Sequence, residues 1–126
     1  MISSIDHIVL TVENIERAAS FYTTVLGMDR LDFARNRTAL HFGTQKINLQ
    51  TPGQETRNHA RVGAGDLCLI TGWTAGRVIR HLSDRNVDIL EGPVRKSGAK
   101  GPITSVYFND PDGNLVEVSS YERLSP

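Results

Sequence analysis

A single cysteine, Cys68, in 126 residues rules out an internal disulfide framework and fits a reducing compartment. No excess of charge is present either: 14 basic and 14 acidic residues cancel, and no basic face shows in the sequence. That removes the electrostatic case for nucleic acid or an anionic membrane as a partner. No apolar run approaches the length of a bilayer-spanning helix. The opening MISSIDHIV has no charged leader, long apolar stretch or cleavage site, so no signal peptide is expected and a cytoplasmic location is. What is present, 39% hydrophobic and 22% charged residues, suits a soluble globular protein. The length allows one compact unit, or two small halves that share a core.

The chain repeats itself. Asp6 to Val12 reads DHIVLTV, and Gly65 to Thr71 reads GDLCLIT, with Asp66 where His7 stood. The β-branched run from Ile5 to Val12 predicts a strand. Asn14 is a helix N-cap, Ile15, Ala18, Ala19, Tyr22, Val25 and Leu26 follow at helical spacing, and Gly27 suits a left-handed stop. Strands are expected over Leu31–Arg35, Thr38–Gly43 and Lys46–Gln50, with Gly43-Thr44-Gln45 as a turn. Thr51–Ala64 is rich in Pro, Gly, Asn and charge and reads as a linker. The order then recurs. Leu67–Thr71 is a strand, Thr74 caps a helix with Val78, Ile79 and Leu82 on its apolar face, and Asn86 ends it. Val87–Leu90 is a strand followed by a basic glycine loop, RKSGAKGP. Thr104–Phe108 and Leu115–Ser119 are joined by the turn DPDGN, and a loosely held tail runs from Tyr121 to Pro126.

These elements predict an α+β protein. Two tandem βαβββ modules, about residues 4–50 and 65–120 around a linker at about 51–64, make one domain over 1–126. Strand alternation sorts the side chains. One face of each strand is apolar and suits packing on helices, which places the helices outside. The other face collects His7, His41, Asn48, Asp66, Tyr107 and Glu117. If the sheets curve and the halves sit side by side, these residues line a cavity fit for a small molecule. An imidazole and two carboxylates, with an amide oxygen in reserve, form a hard ligand set for Mn, Fe, Ni, Co or Zn as a divalent ion.

With DHIVLTV, the helix carrying FYTTVLGM, the doubled βαβββ order and YFNDPDGNLVEV, the chain resembles the vicinal oxygen chelate superfamily, also called the glyoxalase I / bleomycin resistance / extradiol dioxygenase family. Small glyoxalase-domain proteins are the closest kind, by DLCLIT, EGPV and GAKGPI. The resemblance implies metal positions at His7, Asn48, Asp66 and Glu117. His7 and Glu117 match the family's usual choices. Asp66 stands where histidine is usual, and Asn48 where glutamate is frequent. The implied chemistry is a metal-dependent lyase or isomerase that stabilises an enediolate or oxyanion of a small oxygenated substrate, with Glu117 able to act as base. Members of this length commonly form homodimers, which the small surface buried by one chain also favours.

Alternatives stay open at this stage. An extradiol dioxygenase uses two histidines and a glutamate, which Asp66 opposes. A metal-free small-molecule or antibiotic-binding protein of the bleomycin-resistance type does not need His7 and Glu117. His41 and Tyr107 are candidates for acid/base work, or else a surface imidazole and a packed aromatic. Arg95, Lys96 and Lys100 are candidates for gripping an anionic substrate, or else solvated loop charges. Cys68 shares the cavity parity, yet lone cysteines are most often packing.

Overall fold

Asn14 and Thr74 open the two helices of the chain in the same way. In this computed structural model, which describes residues 1–122, Asn14 Oδ1 accepts from the Arg17 backbone N–H and Thr74 Oγ1 from that of Arg77. Each side chain satisfies an N–H that the helix itself leaves open. The helices run Ile15–Thr24 (α1) and Ala75–Asp84 (α2). Gly27 at φ 68° and Asn86 at φ 58° take the left-handed turns that follow them.

Each helix belongs to a βαβββ module. β1 (His7–Thr11), β2 (Asp29–Phe33), β3 (Arg37–Phe42) and β4 (Gln45–Gln50) form one four-stranded mixed sheet in the order β1-β4-β3-β2. β5 (Asp66–Ile70), β6 (Ile89–Gly98), β7 (Gly101–Asn109) and β8 (Leu115–Tyr121) form another, in the order β5-β8-β7-β6. In both, the first strand pairs in parallel with the last and the other pairings are antiparallel. The result is the expected α+β architecture of two mixed sheets and two helices.

The chain divides into two compact units. The first takes Met1–Gly65 with Pro111–Gly113, and the second Asp66–Asp110 with the chain from Asn114 onward. In the first, Leu10, Val12, Tyr22, Leu40, Ile47 and Leu49 are buried on the helix side of the sheet. Its α1 is also tied by Asp112, whose Oδ1 accepts from the Glu13 backbone N–H and from Arg17 at 2.9 Å. In the second, Val78 and Leu82 of α2 are buried, as are Val106, Phe108, Val116 and Val118 of the sheet. Trp73, just before α2, has the Arg77 guanidinium 3.7 Å from its ring centroid and the His81 ring edge-on at 5.1 Å.

Four expectations need correction. RKSGAKGP is no loop: Arg95 to Gly98 continue β6, Gly101 and Pro102 begin β7, and only Ala99-Lys100 turn between them. Glycine, proline and basic charge are loop signals, but β6 is a sheet edge, where charged side chains are well tolerated. The strand expected at Val87 starts at Ile89, and β1 is confined to His7–Thr11 because the preceding residues find no partner strand. Tyr121 is the last residue of β8 and not part of a loose tail. The remainder of that expected tail, residues 123–126, lies outside the described residues. No described helix is long and apolar enough to cross a membrane.

Candidate functional site

The central strand of each sheet carries the polar residue that sequence alternation singled out. In the first unit, β4 lies between β1 and β3, and the row across them is Val9–Asn48–Ala39. In the second, β8 lies between β5 and β7, and the matching row is Cys68–Glu117–Tyr107. The register makes Asn48 and Glu117 equivalent positions in two copies of one motif. It does the same for His7, two residues before Val9, and Asp66, two before Cys68.

Glu117 is half-buried and well held. Its Oε2 accepts from Ser105 Oγ at 2.5 Å and from Ser119 Oγ at 3.3 Å. The two serine oxygens are 2.7 Å apart and both residues are buried. Cys68 is exposed as a whole residue, but its Sγ reaches Ser119 Oγ at 3.4 Å. Partial burial pushes the Cys68 thiol up; the Ser119 contact opposes this, and Glu117 and Asp66 reinforce it. Tyr107 is pushed up to about 12, first by burial and then by its hydrogen bond to Glu117 and that group's charge, so its phenol keeps its proton.

These groups face a hollow of about 450 Å³ within the second unit. Cys68, Ile70, Ile103, Tyr107, Glu117 and Tyr121 form part of its lining, and the Lys96–Ala99 end of the β6–β7 hairpin forms the rest. Tyr121 Oη accepts from the Lys100 N–H at 3.1 Å and so ties the hairpin tip to β8. The Lys96 ammonium sits 5.7 Å from the Tyr107 ring centroid. Of the three basic residues expected as a clamp, only Lys96 lines the hollow. Arg95 pairs with Glu122 at 3.0 Å, and Lys100 is exposed at the turn.

The same face of the first unit is built differently. Asn48 is 3% exposed, and its Oδ1 has no hydrogen-bond partner. Its neighbours in the row are apolar, and Gln50 beside it is spent on Thr11, whose Oγ1 accepts from Gln50 Nε2 at 2.9 Å. His7 is exposed at the start of β1 and its Nδ1 meets Asp6 Oδ1 at 2.7 Å, which holds the Asp6 carboxyl below the usual range. His41 is half-buried and opposite Lys46 on β4. Thus His7, His41 and Asn48 belong to one face in the first unit, and Asp66, Tyr107 and Glu117 to one face in the second.

Sequence reasoning missed Ser105, Ser119 and Tyr121. The signal was present for the serines: they share the parity of Glu117 and Tyr107 on strands whose other face is apolar. No three His, Cys, Asp or Glu side chains are grouped together among the described residues. Taken by type, the donors suit divalent first-row ions: in the first unit the exposed His7 imidazole and the orphaned Asn48 oxygen, and in the second the exposed Asp66 and half-buried Glu117 carboxylates.

A family model described as the Glyoxalase/Bleomycin resistance protein/Dioxygenase superfamily matches residues 4–118. The chain belongs to that superfamily. Within the superfamily, the glyoxalase domain-containing protein RDO1 of Mycosarcoma maydis is 42% identical over 124 residues, which are 96% of this chain and 70% of that protein. Virulence protein STM3117 of Salmonella typhimurium is 44% identical over 124 residues, 96% of this chain and 86% of its own. Its crystal structure matches with a TM-score of 0.91 over 97% of this chain and 99% of that one. The integron cassette protein VCH_CASS1 of V. cholerae is 50% identical, with a TM-score of 0.91 over 97% of this chain and 98% of its own.

Proposed function

We propose that the chain is a metal-dependent, glyoxalase-like enzyme, a lyase or isomerase acting on a small oxygenated molecule in the hollow of the second unit. The observation that carries this reading is Glu117 itself. A half-buried carboxylate, fixed by two serine hydroxyls and flanked by a phenol that keeps its proton, stands in the wall of a ligand-sized hollow. Glu117 serves as base and Tyr107 as proton donor, and His41 is a further candidate for proton transfer. Lys96 is placed to meet an anionic group on the substrate.

The ion's proposed ligands are His7, Asp66 and Glu117, with Asn48 as a weaker fourth. When bound, a divalent ion supplies positive charge that stabilises a developing oxyanion. Manganese, iron, nickel, cobalt and zinc all suit these donors. We further take residues 1–126 as a single domain that works as a cytoplasmic homodimer.

The test is metal analysis of protein purified without chelator, alongside His7→Ala and Glu117→Gln. Stoichiometric divalent metal in the wild type, with loss in both variants, supports the reading. Wild type and variants equally free of metal would overturn it in favour of a metal-free binding protein. Oxygen uptake with catechols and Fe²⁺ would instead assign a dioxygenase.

A further inference from the structure

We infer that Ser105 and Ser119 are positioning residues: they form a directed chain of hydroxyls, starting at the Cys68 thiol, that holds the Glu117 carboxylate in one orientation. The inference rests on the reading of Glu117 as the working carboxylate of the hollow.

The direction follows from counting protons. A serine hydroxyl has one proton to donate and two lone pairs, and a carboxylate oxygen only accepts. Ser105 Oγ is 2.5 Å from Glu117 Oε2, so its single proton is committed there. That separation belongs to the short, charge-assisted class of hydroxyl-to-carboxylate bonds. Ser105 therefore receives, and does not donate, across the 2.7 Å to Ser119. Ser119 in turn holds its one proton between two acceptors, Ser105 Oγ at 2.7 Å and Glu117 Oε2 at 3.3 Å. The remaining contact of Ser119, the Cys68 sulfur at 3.4 Å, is then a thiol donating to the hydroxyl. With Ser105 committed to Glu117, the protons run toward the carboxylate: from Cys68 to Ser119, from Ser119 to Ser105 or Glu117, and from Ser105 to Glu117.

The placement argues for purpose. Ser105 and Ser119 are 0% and 1% exposed and directly paired in the β7–β8 register. Two buried hydroxyls cost stability unless each finds partners, and here they find each other and the carboxylate. In the first unit the position equivalent to Ser119 is Gln50, which turns to Thr11 and leaves Asn48 Oδ1 unpartnered. Only the copy bearing the carboxylate has the hydroxyls. A glutamate on a strand has several rotamers; two donors converging on Oε2 select one.

The full chain, stripped of metal, is titrated with Co²⁺ and followed by its visible absorption, comparing wild type with Ser105→Ala, Ser119→Ala and Ser105→Thr. Proton NMR of the same metal-free proteins follows the Ser105 hydroxyl, a downfield, slowly exchanging signal. The expected result is a loss of Co²⁺ affinity of about tenfold or more in Ser105→Ala. A smaller loss is expected in Ser119→Ala and near wild-type affinity in Ser105→Thr. The downfield signal should be absent from Ser105→Ala and from Glu117→Gln. Both alanine variants binding Co²⁺ as tightly as wild type, or a wild type without the signal, would overturn the inference. A wild type that takes no Co²⁺ removes the metal reading instead. The proton signal then decides the positioning role alone, keeping it if present and ending it if absent.

Discussion

The two modules use one register to opposite ends. In the first unit the central row of the face that carries the polar residues is Val9–Asn48–Ala39: two small apolar flanks around a buried amide whose oxygen has no partner. In the second the same row is Cys68–Glu117–Tyr107: two ionisable flanks around a carboxylate that two serines satisfy. Backbone pairing is conserved between the copies and the chemistry is not. A duplicated scaffold fixes where a side chain points, and the residues beside it decide whether it packs or reacts.

The strongest way to break this comparison is to put leucine at both equivalent positions. Glu117→Leu strands the Ser105 and Ser119 hydroxyls in a buried place, and denaturant unfolding should show a loss of about 1–3 kcal/mol. Asn48→Leu removes an orphaned acceptor and should raise stability by about 1 kcal/mol. Equal signs for the two would mean that the rows are not distinguished by polar satisfaction.

A smaller effect sharpens the comparison at the helices. Asn14→Ala and Thr74→Ala each delete one N-cap bond, and each should cost about 1 kcal/mol in thermal or denaturant unfolding. Near-equal costs would say that the two copies start their helices with the same strength although they use different residues.

The subtlest difference is in alkali. An unfolded tyrosine ionises near 10, whereas Tyr107 in the fold is pushed up to about 12. Between those values the unfolded chain has released its proton and the folded chain has not, so stability falls as pH rises through that window. Tyr107→Phe should remove this part of the decline, as read from denaturation midpoints measured below and within it. Ala39, at the equivalent place in the first unit, has nothing to titrate.

Periodicity carried most of the fold. Alternation in DHIVLTV and LVEVSS, helix caps at Asn14 and Thr74, and left-handed stops at Gly27 and Asn86 are local effects, and local effects are written in short stretches of sequence. The β6–β7 hairpin escaped because its strand character comes from pairing, not from its own residues: KSGAKGP carries turn chemistry and is extended only because β7 lies beside it. The site divides along the same line. Parity put Glu117 and Tyr107 on one face, yet that they stand directly opposite one another needs register, which no single strand contains. Ser105 and Ser119 were passed over for that reason, since a serine on a mixed face looks like ordinary solvent-facing polarity until its cross-strand neighbours are known. His7 and Asp66 were legible as a repeated position, which the register of β1 on β4 and of β5 on β8 repeats.

Trp73 is the only tryptophan in the chain, and it sits in the second unit against Arg77 and His81. Its emission is therefore an optical gauge of one module only, quenched or released as the guanidinium and imidazole beside it move. Circular dichroism, by contrast, averages over both. Melting curves recorded both ways coincide if the duplicated halves lose structure as one cooperative body and separate if they do not, so nature has left a label for dissecting the repeat without any added dye.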